Sequence, residues 1–89
     1  MVQETVVIKN KYGLHARPAS EFVNIASKYV SQIKIEKNGI EVDGKSIMGL
    51  LMIAAEKGDE ITIKIDGKDE DEMKGKIVEL LNGDLDKEM

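Results

Sequence analysis

The sequence predicts an α+β fold, an open-faced β-sandwich in which three helices cover one face of a four-stranded antiparallel sheet. Four segments alternate apolar and polar residues as strands do, and three others repeat apolar residues at helical spacing. Their order along the chain is βαββαβα. With 89 residues, the chain is expected to form one domain, 1–89, around a single modest core, and residues 84–89 are expected to be a loose tail.

The first strand is predicted over residues 2–9, where the apolar side chains of one parity are Val2, Val6 and Ile8. A helix is predicted over about residues 16–28, because Pro18 suits a first helical turn, in which its missing N–H is not needed. The expected buried stripe of this helix consists of apolar residues at helical spacing: Ala19, Phe22, Val23, Ala26 and Val30.

Residues 32–43 carry the clearest local pattern, that of a two-stranded hairpin. The Asn38-Gly39 pair supplies the positive φ angles of a two-residue turn. This turn places Ile35 opposite Val42 on one face and two glutamates opposite each other on the other face. The register therefore agrees with the hydrophobic pattern, and the face with the glutamates is expected to be open to water.

The second half of the chain predicts a helix, a strand and a helix. Ser46 is the predicted N-cap of a short helix that ends near Gly58. The fourth strand then directs three residues inward: Ile61, Ile63 and Ile65. Asp69 is the predicted N-cap of the last helix, with Glu72 completing a capping box, and Gly83 is its predicted left-handed stop. The expected buried stripe is Met73, Ile77, Leu80 and Leu81.

The composition excludes several classes of function. The chain has no cysteine, so disulfides, thiolate nucleophiles and thiolate metal sites are excluded. A net charge of −4, with one Phe, two Tyr and no Trp, argues against nucleic acid as a partner. No apolar run approaches the ~20 residues of a membrane span, and no secretory signal is visible, so a cytoplasmic location without membrane insertion is expected. Without a Gly-rich phosphate loop or paired metal-binding histidines, no cofactor or metal is expected.

The one histidine of the chain is the main candidate for chemistry. His15 directly precedes the first predicted helix, whose N-terminus offers N–H groups and a partial positive charge to a phosphate. The same field disfavours the imidazolium form and so keeps a ring-nitrogen lone pair for attack, while Arg17 adds a mobile cation. Phosphoryl transfer needs mainly positioning and charge stabilisation. The alternative is that His15 is an ordinary solvated residue at a helix cap.

Two segments resemble the signatures of a known family. The active-site signature of the HPr family of phosphocarrier proteins resembles the run Gly13-Leu14-His15-Ala16-Arg17-Pro18-Ala19-Ser20. A second signature of that family, around a regulatory serine, resembles Lys45-Ser46-Ile47-Met48-Gly49-Leu50. The resemblance extends over essentially the whole chain, and the family has the same βαββαβα order.

This resemblance implies a role for each residue at the site. His15 is expected to be phosphorylated on Nδ1 by enzyme I, which itself takes the phosphoryl group from phosphoenolpyruvate. Arg17 is expected to assist onward transfer to the A domains of sugar permeases, the enzymes II. Ala16 and Pro18 are expected to form the helix N-terminus at the site. The chain is thus expected to be a monomeric carrier that forms a phosphohistidine intermediate, rather than an enzyme.

The family also implies a regulatory site and a docking surface. Ser46 is expected to be phosphorylated by HPr kinase/phosphorylase and then to bind a catabolite-control transcription factor, although an ordinary helix cap is the alternative reading of this serine. Partner proteins are expected to contact Ser20, Ile47, Met48 and Leu51, because the second helix has more apolar residues than a small core needs. The alternative is that three of its residues are simply core: Leu50, Leu51 and Ile53.

Other functions remain open at this point. One is a regulatory paralogue that binds transcription factors without carrying phosphate, a class that lacks the active-site histidine. Another is a small-molecule-binding module of α+β fold, and a third is a minimal enzyme in which His15 acts as a general base.

Overall fold

Within residues 1–9 and 13–82, which this computed structural model describes, seven elements follow the predicted βαββαβα order. The strands are β1 (Val2–Val7), β2 (Gln32–Lys37), β3 (Ile40–Asp43) and β4 (Glu60–Asp66). The helices are α1 (Ala16–Ala26), α2 (Ile47–Ile53) and α3 (Glu70–Leu81). The strands lie in the order β1-β4-β2-β3, and every neighbouring pair is antiparallel. The predicted open-faced sandwich is therefore confirmed.

The hairpin of β2 and β3 has the predicted turn and register. Asn38 and Gly39 have φ angles of 52° and 83°, and Ile35 lies opposite Val42. Glu36 and Glu41 face each other on the open side of the sheet. Lys64 of β4 offsets their repulsion, since its Nζ lies 2.6 Å from Glu36 and 3.1 Å from Glu41, and these two carboxylates raise the pKa of Lys64.

The core lies between the sheet and the helices. Alternate residues of β2 and β4 are inaccessible to solvent, as the sequence predicts for Ile61, Ile63 and Ile65. The apolar faces of the helices pack against these strand residues. The largest fully buried side chains are Phe22, Ile8, Ile33, Ile35, Leu50, Ile61, Ile63, Ile65, Met73, Ile77 and Leu81.

Helix α1 is shorter than predicted, and its predicted stripe is wrong at one residue. The helix ends at Ala26 rather than near residue 28, and Val30 is 74% exposed. The physical reason lies in Asp69, the residue before α3. The backbone N–H of Val30 donates to Oδ2 of Asp69 at 3.0 Å, so it is not available to continue the helix. The remainder of the stripe is confirmed, with Ala19, Phe22 and Ala26 buried and Val23 packed against the core.

Asp69 is the N-cap residue of α3, but the predicted capping box does not form. Its carboxylate accepts hydrogen bonds from the N–H groups of Val30 and Ser31, each at 3.0 Å, and from the Ser31 hydroxyl. The Ser31 hydroxyl and these two N–H groups lower the pKa of Asp69. Glu70, rather than Glu72, reaches back to the preceding backbone and accepts the N–H of Gly67 at 3.0 Å.

Helix α2 ends several residues earlier than predicted. Its last residue is Ile53, and the left-handed stop is Ala54, with φ 48° and ψ 47°, rather than a residue near Gly58. This conformation costs a non-glycine residue about 1–2 kcal/mol. Lys37 offsets the cost, since its Nζ donates to the carbonyls of Ile53 and Ala54, each at 3.2 Å.

Two further predictions concern the ends of elements. The first strand was predicted to reach residue 9, but β1 ends at Val7, and Ile8 instead exchanges backbone hydrogen bonds with Gly58 and Asp59. The predicted stop at Gly83 and the tail 84–89 lie outside the described residues. Across the described part of the chain, no helix has the length and apolar character needed to span a membrane.

Candidate functional site

His15 is the N-cap residue of α1, as the sequence predicts. Its backbone is extended, with φ −91° and ψ −171°, and its carbonyl accepts the first intrahelical hydrogen bond, from Ala19, at 2.9 Å. The N–H groups of Ala16 and Arg17 precede this hydrogen-bond ladder, and Pro18 at the third position has no N–H. The helix therefore presents its positive end directly beside the imidazole.

The imidazole of His15 is half-buried, and its Nε2 atom is inaccessible to solvent. The ring does not cap the first turn of α1, residues 16–18. It lies in a shallow depression lined by Leu14, His15, Leu51, Ala54, Ala55 and Glu56.

The segment before His15 is held by the loop that follows α2. The N–H of Leu14 donates to the carbonyl of Ala55 at 2.8 Å. Gly13 has a positive φ of 68°, and a Cβ atom placed there would lie only 2.2 Å from the same carbonyl. The position therefore requires glycine, both for its φ angle and for the close approach of two backbones.

Arg17 lies on the exposed side of α1, one turn before the half-buried Glu21. Ala16, Arg17, Ser20 and Glu21 line a second depression, next along the chain from His15. Pro18 is buried and anchors the first turn. The structure thus places Arg17 and Ser20 on one surface.

The exposed face of α2 is apolar. Its exposed residues are Ile47 (40%), Met48 (70%), Leu51 (37%) and Met52 (74%), which we call the α2 patch. Leu50 and Ile53 are core, so the alternative reading is correct for these two and wrong for Leu51. Because Leu51 also lines the depression that contains His15, the α2 patch continues to the imidazole.

Ser46 caps α2 as predicted. Its Oγ accepts the N–H of Gly49 at 3.0 Å, and its own N–H donates to the carbonyl of Asp43 at 3.1 Å. The serine is half-buried, and Ile47 of the α2 patch follows it directly. A modification of Ser46 would therefore change the charge at the edge of that patch.

Sequence reasoning missed two residues at the site, Met52 and Glu56. Met52 belongs to the α2 patch, and its spacing of four from Met48 was a signal that both share one helix face. Glu56 lines the depression around His15 from the loop after α2, a placement that no local pattern indicates. Among residues 1–9 and 13–82, no group of His, Asp and Glu side chains is arranged to hold a metal ion.

The chain matches known proteins over most of its length. A family model described as the PTS HPr component phosphorylation site matches residues 2–83. The phosphocarrier protein HPr of Neisseria meningitidis is 45% identical over 83 residues, which cover 93% of each chain. The HPr-like protein Crh of Bacillus subtilis is 46% identical over 72 residues, covering 81% of this chain and 85% of that relative.

Solved structures give the same result. The crystal structure of HPr-C-His from Thermoanaerobacter tengcongensis has a TM-score of 0.90 at 44% identity and covers 92% of both chains. A second structure from that organism, described as an HPr dimer, has a TM-score of 0.76 at 42% identity and covers 96% of this chain and 98% of the other. The match in sequence and fold places this chain in the HPr family of phosphocarrier proteins of the phosphotransferase system.

Proposed function

We propose that this chain accepts a phosphoryl group from enzyme I on His15 and passes it to the A domains of enzymes II in the cytoplasm. The position of His15 carries the proposal. It stands at the positive end of α1, two residues before an exposed arginine and in a depression continuous with the α2 patch. The family model that matches the chain is itself described by its phosphorylation site.

The burial of Nε2 supports Nδ1 as the nucleophile. The lone pair of Nδ1 attacks phosphorus, a P–N bond forms, and the bond from phosphorus to the donor's leaving atom breaks. Negative charge on the phosphoryl oxygens is met by the N-terminus of α1 and by the guanidinium of Arg17. Onward transfer reverses these steps, with the partner's nucleophile taking the phosphoryl group and His15 regaining its lone pair.

The α2 patch and Ser20 are the proposed docking surface for these partners. Four exposed apolar side chains on one short helix are more than a surface needs for solubility, and such patches mark protein interfaces. Met48 and Met52 are the most exposed of the four, and methionine adapts to partners of different shape. One surface would thus serve enzyme I and the enzymes II in turn.

Ser46 is proposed as the regulatory phosphorylation site. HPr kinase/phosphorylase would modify its hydroxyl, and the phosphorylated chain would bind a catabolite-control transcription factor. The position of Ser46 at the edge of the α2 patch supports this, because a phosphate there adds charge to an apolar docking surface. The solution structure of Crh from Bacillus subtilis is described as that of a catabolite repression HPr, which supports a regulatory use of this fold.

Incubation with enzyme I and phosphoenolpyruvate tests the proposal. The wild-type chain should gain one acid-labile phosphate by mass spectrometry, and His15→Ala should gain none, because the chain has no other histidine. Circular dichroism should show that the variant is folded. Phosphate on folded His15→Ala would contradict the proposal. We also propose a monomeric carrier, which sedimentation equilibrium checks.

The second candidate is a regulatory protein that does not carry phosphate, and the similarity to HPr-like Crh proteins favours it. The presence of His15 argues against it. The same experiment separates the two, because a purely regulatory chain would take phosphate from ATP through the kinase at Ser46 and none from enzyme I.

A further inference from the structure

The loop of residues 54–59, between α2 and β4, holds the backbone on both sides of the segment that leads to His15. On one side, the carbonyl of Ala55 accepts the N–H of Leu14 at 2.8 Å. On the other, Ile8 at the end of β1 donates to the carbonyl of Asp59 and accepts the N–H of Gly58, both at 2.8 Å. The position of the imidazole therefore depends on where this 54–59 loop lies.

The 54–59 loop begins in a conformation that its residue does not favour. Ala54 has φ 48° and ψ 47°, a left-handed geometry that glycine adopts at little cost and alanine does not. A helix end of this kind stays in place only when surrounding contacts hold it. Those contacts matter for the site, since Ala54 and Ala55 both line the depression around His15.

Lys37 of β2 supplies the contacts. Its Nζ donates to the carbonyls of Ile53 and Ala54, each at 3.2 Å, and lies 3.1 Å from Oδ2 of Asp59. An ammonium group has three N–H donors, and here three oxygens surround it. The lysine side chain is only 18% exposed, so the contacts are partly screened from water.

Asp59 transmits the same restraint to the far end of the loop. Its Oδ2 accepts the N–H of Glu56 at 2.8 Å, and its own N–H donates to the carbonyl of Glu56 at 2.9 Å. The Glu56 N–H and the Lys37 ammonium lower the pKa of Asp59. Lys37 therefore fixes both ends of the 54–59 loop, and Ala55, between them, fixes Leu14.

We propose that Lys37 is a positioning residue for phosphoryl transfer. By holding the left-handed turn at Ala54 and the carboxylate of Asp59, it places the Ala55 carbonyl, which binds the Leu14 N–H and so orients the backbone at His15. The proposal rests on the proposed function of His15. It assigns no contact between Lys37 and the phosphoryl group, because the lysine acts through the 54–59 loop.

Lys37→Met tests this, since methionine keeps an aliphatic stem and loses the ammonium. We expect the rate of phosphorylation by enzyme I at saturation to fall about tenfold, because small displacements of a reacting group are costly. The KM should change less than twofold, because the α2 patch is intact. Lys34→Met is the matched control, as it removes an exposed lysine from the same strand and should change neither value.

Ala54→Gly in the Lys37→Met background provides a rescue. Glycine adopts the left-handed turn without support, so the double variant should recover most of the lost rate and return the Leu14 and His15 amide signals in ¹H–¹⁵N NMR spectra toward wild type. A wild-type rate in Lys37→Met with unmoved amide signals would overturn the proposal. So would a double variant that is still slow although its amide signals have returned to the wild-type positions, because the lysine would then act by its charge rather than through the loop.

The two readouts separate this proposal from the proposed function. If the wild-type chain takes no phosphate from enzyme I, the carrier function fails, and the positioning role in transfer fails with it. The amide signals report on the loop in either case. If the wild type is phosphorylated and Lys37→Met moves neither the amide signals nor the rate, the positioning role alone fails.

Discussion

The N-cap residues of α1 and α2 have similar backbone conformations, but their side chains make different contacts. His15 and Ser46 are both N-cap residues with extended backbones, at φ −91° and −114°. The Ser46 hydroxyl accepts the N–H of Gly49 at 3.0 Å and so closes its helix, whereas the His15 imidazole makes no capping bond to residues 16–18. A capped end contributes stability, and an end that its own side chain does not cap can meet an external anion. In our proposal, the side chain at the start of α2 stabilises its helix, and the side chain at the start of α1 receives the phosphoryl group.

The largest expected effect tests the chemistry at α1. Arg17→Ala should slow phosphoryl exchange with enzyme I at least tenfold, about 1.4 kcal/mol of barrier, because an exposed cation near the phosphoryl group is lost. The melting temperature should barely change, since the side chain is outside the core. Lys28→Ala, which removes an exposed cation just past the other end of α1, is the matched control for exchange rates in both directions.

The next effect concerns a third helix end, that of α3. Asp69→Asn should destabilise the chain at neutral pH more than any change at Ser46, because the carboxylate accepts three hydrogen bonds from Val30 and Ser31. Thermal unfolding measured by circular dichroism gives the difference in melting temperature between variant and wild type.

The pH dependence of that difference has a definite sign. The pKa of Asp69 is lowered in the folded chain from its ordinary value of 3.8, so its contribution is complete above pH 3.8 and is lost as the pH falls through the lowered pKa. The melting temperatures of wild type and Asp69→Asn should therefore converge in acid. Asp59 and Glu70 also have lowered pKa values. Both carboxylates are present in wild type and in Asp69→Asn, so they do not contribute to the difference in melting temperature. A gap that persists unchanged in acid would contradict the account.

A smaller effect tests the capped end directly. Ser46→Ala should cost about 1 kcal/mol of unfolding free energy, because the N–H of Gly49 loses its acceptor. For a domain of this size, the melting temperature should fall by about 4–8 °C. Phosphorylation of His15 should proceed at the normal rate, and a marked loss of rate would show that the two helix ends are not separate in role.

The smallest expected change in stability is that of Ser46→Asp. A carboxylate at this N-cap gains about 0.3–1 kcal/mol from the helix dipole, so the fold should be as stable as wild type or slightly more stable. The KM of enzyme I for this variant should rise at low ionic strength, if the partner surface is acidic, and should recover partly in high salt. An unchanged KM at low salt would show that Ser46 serves only as a helix cap and that charge at this position does not affect the binding of enzyme I.

Local patterns predicted much of this molecule. The turn at Asn38, the pairing of Ile35 with Val42 and the cap at Ser46 depend on residues close in sequence, and all three are confirmed. The placement of His15 before a helix follows from the same kind of local signal.

The errors share one physical cause, which is a contact between distant parts of the chain. The Asp69 carboxylate accepts the N–H of Ser31, 38 residues away, instead of capping its own helix. Helix α2 stops at Ala54 because Lys37, 17 residues earlier, binds its last carbonyls. Periodicity and capping preferences depend on residues that are close in sequence, so they cannot predict the contact of Asp69 with Ser31 or that of Lys37 with Ala54. The burial of Nε2 of His15 is likewise a tertiary property.

One measurement tests the central claim most directly, namely that His15 receives the phosphoryl group on Nδ1. The ¹⁵N-labelled chain, treated with enzyme I and phosphoenolpyruvate, is examined by long-range ¹H–¹⁵N NMR of the imidazole ring. We expect the Nδ1 signal to move to the position of a phosphorylated nitrogen, with Nε2 carrying none of the phosphate, because Nε2 is buried against the protein. Phosphate on Nε2, on Ser46, or on no residue after full turnover of the donor would contradict the account.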